Sequence, residues 1–99
     1  MLEASVSKSQ GKISVIVMCD EKIIEAKVKS SNIGEKMTNE YHTLQQTKND
    51  MVFQKVISDG DLVFVNVELD DRHAFFAFDT RHAEDYEVLV SKFPRISLK

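Results

Sequence analysis

Lys12-Ile13-Ser14-Val15-Ile16-Val17-Met18-Cys19-Asp20-Glu21-Lys22-Ile23-Ile24-Glu25-Ala26-Lys27-Val28-Lys29 is the stretch on which the reading of the chain turns. Ile13, Val15, Val17 and Cys19 recur at every second position, and beyond Asp20-Glu21 so do Ile24, Ala26 and Val28. A period of two marks a strand with one buried face. Read as a hairpin closed by Asp20-Glu21, the stretch sets Cys19 opposite Lys22, Val17 opposite Ile24, Val15 opposite Ala26 and Ile13 opposite Val28. A slip by one residue would scatter the apolar set, so the pattern favours this register.

Residues 62–79 repeat the plan. Val63, Val65, Val67 and Leu69 precede Asp70-Asp71, and Ala74, Phe76 and Phe78 follow it. The same arithmetic places Val67 opposite Ala74, Val65 opposite Phe76 and Val63 opposite Phe78. Each hairpin follows a short strand-like run and a turn: Leu2, Ala4 and Val6 before Ser9-Gln10-Gly11, and residues 51–57 before Ser58-Asp59-Gly60. Each is also followed by a segment with helical spacing. Ile33, Met37, Tyr41 and Leu44 form one stripe, with Asn32 as N-cap and Glu35 at the third helical position. Tyr86, Leu89, Val90 and Phe93 form the other, started by Asp79 or Thr80 and stopped by Pro94.

The order βββα-βββα predicts an α+β fold. Five or six mostly antiparallel strands form one sheet, and two helices cover one of its faces in a two-layer sandwich. A duplication with halves 1–49 and 50–99 and two unrelated meander-plus-helix units both fit this order within a single domain spanning 1–99. Without the first strand the order becomes ββαβββα. That order resembles, in topology alone, the profilin-like arrangement of longin and roadblock domains. The expected core draws on Ile13, Val15, Val17, Ile24, Ala26, Val28, Val63, Val65, Val67, Ala74, Phe76 and Phe78 together with both stripes.

The chain has 99 residues, 42% of them hydrophobic and 29% charged, a balance that folds rather than staying disordered. No apolar run reaches the roughly 20 residues of a membrane helix. The start Met1-Leu2-Glu3-Ala4-Ser5 has no charged and apolar leader pattern, which points to a cytoplasmic or nuclear protein. A single cysteine, Cys19, excludes an internal disulfide. The net charge is −3. Residues 50–99 carry ten acids against six bases, a poor start for duplex binding, and within them Asp59, Asp61, Glu68, Asp70, Asp71, Asp79, Glu84, Asp85 and Glu87 stand against only Arg72 and Arg81.

No cofactor and no catalytic site are expected. The glycine, serine and histidine motifs of nucleotide-binding, hydrolase and metalloprotease sites do not occur. Asp70-Asp71-Arg72-His73-Ala74 and Asp79-Thr80-Arg81-His82-Ala83 repeat a pattern, but His73 on a strand and His82 in the first turn of the second helix share no fixed geometry for a metal. What two helices leave uncovered is the other face of the sheet. Ile16, Met18 and Ile23 fall there from the first hairpin, and Leu62, Phe64 and Phe75 from the second, among polar neighbours. A monomer rarely exposes such a patch. The expected function is therefore a non-enzymatic interaction domain that pairs with itself or with another protein through Ile16, Met18, Ile23, Leu62, Phe64 and Phe75, with Asp70 and Asp71 at an exposed tip. Two alternatives are an acidic inhibitor of a basic target and a single-strand nucleic-acid binder using Lys12, Lys27 and Lys29.

Overall fold

The computed structural model describes residues 1–34, 40–49, 51–58, 60–92 and 94–98. They contain strands and no helix: β1 (Leu2–Ser9), β2 (Lys12–Cys19), β3 (Ile23–Ser31), β4 (His42–Thr43), β5 (Gln45–Gln46), β6 (Val52–Ser58), β7 (Leu62–Leu69), β8 (Arg72–Asp79), β9 (Val88–Ser91) and β10 (Arg95–Leu98). All pairings are antiparallel and make two sheets. Sheet A has the order β5-β6-β2-β1-β9 and sheet B the order β10-β8-β7-β3-β4. The fold is an all-β sandwich, and the expected α+β class, with its βββα-βββα or ββαβββα order, is overturned. Among the described residues no helix is long and apolar enough to cross a membrane. The layer that covers the apolar strand faces is a second sheet instead of two helices.

The stretch 12–29 departs from the expected hairpin. The strands of 12–29 exist, but they are not each other's partners. β2 pairs with β1 (Val15 opposite Val6) and with β6 (Val17 opposite Phe53). β3 pairs with β7 and β4 in the other sheet. Asp20-Glu21 therefore carries the chain from one sheet to the other, and its contacts reach both. The Asp20 carboxylate takes the Met1 amine at 2.6 Å, and Glu21 pairs with Arg72 at the start of β8. Asp70-Asp71, equally acidic, does close a hairpin, with Val67 opposite Ala74, Val65 opposite Phe76 and Val63 opposite Phe78 as the sequence predicts. Alternation tells which side of a strand is buried, and it cannot tell whether the next apolar face lies beside it in one sheet or across a layer about 10 Å away.

The true partner of β2 is reached through Gln10 and Gly11, whose φ angles of 49° and 73° are those of a primed turn suited to strand twist. In β3 the register shifts between Ile23 and Glu25. This bulge turns Ile24 out, 49% exposed, and seats Ile23 against the core, reversing the expected roles of these two residues.

Neither expected helix forms in the described residues. Leu44 from the first stripe is buried, but it plugs the side of the sandwich. Its N–H donates to the Ala26 carbonyl at 2.8 Å, and the chain passes over it from β4 in sheet B to β5 in sheet A. Ile33 is exposed, while Glu35 and Met37 lie outside the described residues. In the second stripe Tyr86 has a left-handed φ of 67°, and Val88-Leu89-Val90 forms an edge strand on β1. Leu89 packs against the core, and Val88 and Val90 point out. Three consecutive apolar residues satisfy either period, and β-branched valines on an edge that β1 leaves open settle the matter for a strand. Phe93 and Asp59 lie outside the described residues.

The core gathers Ala4, Val6, Ile13, Val15, Val17, Cys19, Phe53 and Ile57 from sheet A. Sheet B supplies Ala26, Val28, Val63, Val65, Val67, Leu69, Ala74, Phe76 and Phe78. Thr80, expected as a helix start, is instead fully buried. Its hydroxyl donates toward the carbonyls of Gly60 at 2.7 Å and Asp61 at 3.0 Å, which fixes the connection into β7.

Candidate functional site

The two outer faces of the sandwich differ in chemistry. On sheet B the outward residues are Glu25, Lys27 and Lys29 of β3, Leu62, Phe64, Asn66 and Glu68 of β7, and His73, Phe75, Ala77 and Asp79 of β8. This face satisfies itself. Phe64 and Phe75 stack with ring centroids 5.8 Å apart and planes 20° from parallel. The Lys29 ammonium sits 4.4 Å from the centre of the Tyr41 ring and 5.8 Å from that of Phe64, where the ring faces attract a cation. Lys27 lies 3.4 Å from Glu25.

Arg81, just beyond β8, closes on Asp79. Its Nε lies 3.0 and 3.1 Å from the two carboxylate oxygens, and its Nη2 lies 2.6 Å from one of them. Its backbone N–H also donates to Oδ1 at 3.1 Å. The guanidinium first and the N–H second hold the Asp79 carboxyl down at about 2, from an ordinary value of 3.8. Because the folded value is the depressed one, this pair supports the fold fully above the ordinary value and loses its contribution as pH falls through about 2. In an NMR titration the Asp79 carboxyl is expected to titrate near 2, and Arg81→Ala should return it toward the usual aspartate range. A wild-type Asp79 titrating at the ordinary value would contradict the pairing.

Sheet A presents a different surface. The pairing aligns two rows across its outer face, Gln45–Gln54–Ile16–Ser5–Val90 and Val56–Ser14–Ser7–Val88. None of these nine residues is charged. The charges of this face stand at its two ends, at Glu3 beside Met18 and at Lys12. Val56 and Val88 are each 58% exposed and Val90 is 50% exposed. A groove of about 540 Å³ runs along the same face, lined in part by Ser14, Ile16, Gln45, Gln54 and Val56 and, between Gln54 and Val56, by the charged Lys55.

The residues singled out in the sequence are divided by this architecture. Ile16 and Met18 lie on the outer face of sheet A, while Leu62, Phe64 and Phe75 lie on the outer face of sheet B, on the far side of the molecule. Ile23 is packed against the core. Asp70 and Asp71 are exposed at the β7–β8 turn, where Asp71 lies 3.2 Å from Arg72. Lys12 belongs to sheet A, and Lys27 and Lys29 to sheet B.

Val56, Val88, Val90, Ser5 and Ser7 enter the candidate site without having been singled out. The signal for the two valines of β9 was their alternation with Leu89, hidden by its equal fit to a helix. Cys19 is buried and its Sγ accepts the Glu21 N–H at 3.3 Å. Among the described residues no three His, Cys, Asp or Glu side chains are grouped as a metal would require. Comparison with known protein families, with curated proteins and with solved structures finds no match to this chain.

Proposed function

We propose that the protein is a non-enzymatic interaction domain and that its working surface is the outer face of sheet A, which docks an apolar and hydroxyl-bearing protein surface. The observation that carries this reading is the pair of uncharged rows in a chain of which 29% is charged. A strand face that meets only water gains solubility from lysine and glutamate at no packing cost, as the outer face of sheet B shows with Glu25, Lys27, Lys29 and Glu68. The core of a protein interface, in contrast, is depleted of charge because each buried ion must be stripped of water. Exposed valines flanking small serines give a surface of low relief, onto which another protein can pack while serine hydroxyls find partners across it.

Sheet B is less suited to the same task. Across its three longest strands Phe64 and Phe75 stack on one another, Lys29 lies on the Tyr41 ring and Lys27 lies beside Glu25. The separation of Lys12 from Lys27 and Lys29 also removes the continuous basic strip on which the nucleic-acid alternative rested.

Thiol accessibility in the native cells tests the reading. In a Cys19→Ala background, Ser14→Cys reports on sheet A and Asn66→Cys on sheet B. Ser14→Cys should react with a maleimide at least about tenfold more slowly in cells than in the purified protein at high dilution, and Asn66→Cys should react equally in both. Equal rates at Ser14→Cys in the two settings would remove the proposal.

A further inference from the structure

Resting on that reading of sheet A, we infer that the partner on its outer face is a second copy of this chain, packed sheet to sheet as a two-fold dimer. Three features of the surface point to a copy of itself. The first is charge. Each chain carries −3, so two copies repel across most orientations, and like charges brought face to face are costly at an interface. Across the rows Gln54–Ile16–Ser5–Val90 and Val56–Ser14–Ser7–Val88 there is no charge to oppose its own image. A face that had to pick a foreign protein from many would gain both steering and discrimination from charges, and these rows offer none.

The second feature is self-complementarity. In a two-fold interface the same patch supplies both sides, so each group must accept its own kind as a neighbour. Serine hydroxyls both donate and accept, glutamine amides do likewise, and valine packs on valine. The third is extent. The five strands of sheet A have 8, 8, 7, 4 and 2 residues, and at about 3.3 Å per residue and about 4.8 Å between strands they cover a face of roughly 460 Å². Two such faces together bury on the order of 900 Å², the size of a weak and transient interface. The dimer is accordingly a reversible one that forms and dissociates with concentration.

Sedimentation of the purified chain tests the inference. The mass should rise from 11.3 kDa at high dilution to twice that value at concentrations of many micromolar. Ser14→Arg and Val90→Glu should each hold the protein at the single-chain mass throughout. Asn66→Arg, on the opposite sheet, should leave the doubling intact. Both positions on sheet A point outward from the sandwich, so the variants should keep the wild-type circular dichroism. Should Ser14→Arg fail to fold, the exposed Val56→Lys reads the same surface. A wild type that stays at the single-chain mass overturns the inference, as does a dimer that survives both sheet A variants or is broken by Asn66→Arg. If the wild type stays single while Ser14→Cys is protected in cells, the self-pairing fails and the interaction reading stands. Unprotected Ser14→Cys removes both.

Discussion

Phe76→Ala should lower the free energy of unfolding by about 3–5 kcal/mol, the usual cost of removing a buried aromatic ring. Phe76 is 2% exposed and stands opposite Val65 in the middle of β8, so its ring faces the inner side of sheet A. The strands of a sandwich are held in register by hydrogen bonds on either side. The two sheets therefore cannot collapse far into the space left, and much of the cavity cost remains. For a domain of this size the whole stability is about 5–15 kcal/mol, and each kcal/mol moves the melting temperature by roughly 4–8 °C. A fall of at least about 12 °C is expected, with a lower urea midpoint and an unchanged slope. Phe75→Ala, one residue away on the outer face, removes a half-buried ring and should cost about a third as much. Equal losses at the two positions would mean that the faces of β8 are assigned the wrong way round.

Thr80→Val should cost about 1–3 kcal/mol, although the two side chains have nearly the same shape and valine is the more apolar. Thr80 has no exposed surface. Its hydroxyl donates toward Gly60 and Asp61 while its own N–H donates to the Asp61 carbonyl at 2.7 Å. Valine keeps the volume and leaves the buried Gly60 carbonyl without that donor. Thr80→Ser keeps the hydroxyl, loses one methyl group and should be the milder change, by thermal or urea unfolding. A hydrophobic account of the position predicts the opposite order, so the comparison separates packing from hydrogen bonding. Gly60 itself is constrained by its neighbours. A Cβ there would lie 3.2 Å from both the Ser30 Cβ and the Ser31 backbone nitrogen, so Gly60→Ala presses the end of β3 away from the connection that Thr80 holds.

The candidate site was only half legible for a related reason. Ile16 and Met18 could be read as outward-facing because they alternate with Ile13, Val15, Val17 and Cys19. Joining them to Leu62, Phe64 and Phe75 required that all five share one sheet, and the crossing at Asp20-Glu21 puts them on opposite sides. Leu89 and Val90 fit the stripe of a helix as well as a strand, because a run of three apolar residues suits a period of 3.6 as well as a period of two. The bulge after Ile23 is equally silent in the sequence, since one inserted residue costs little locally and is chosen by the strand alongside.

Local alternation, by itself, determined the faces of β2, β7 and β8, the pairing of Val63, Val65 and Val67 with Phe78, Phe76 and Ala74, and the residues that fill most of the core. These follow from short-range chemistry, because a strand shows its buried side in every second residue and a tight turn leaves its two arms little choice of partner. Only the tertiary structure decided that β2 and β3 face each other across the core, that Val88-Leu89-Val90 is an edge strand, and that two rows across one outer face carry no charge. Those outcomes depend on which free strand edges find each other after long excursions of the chain. The energy that selects them resides in contacts between residues far apart in sequence, which no local period records.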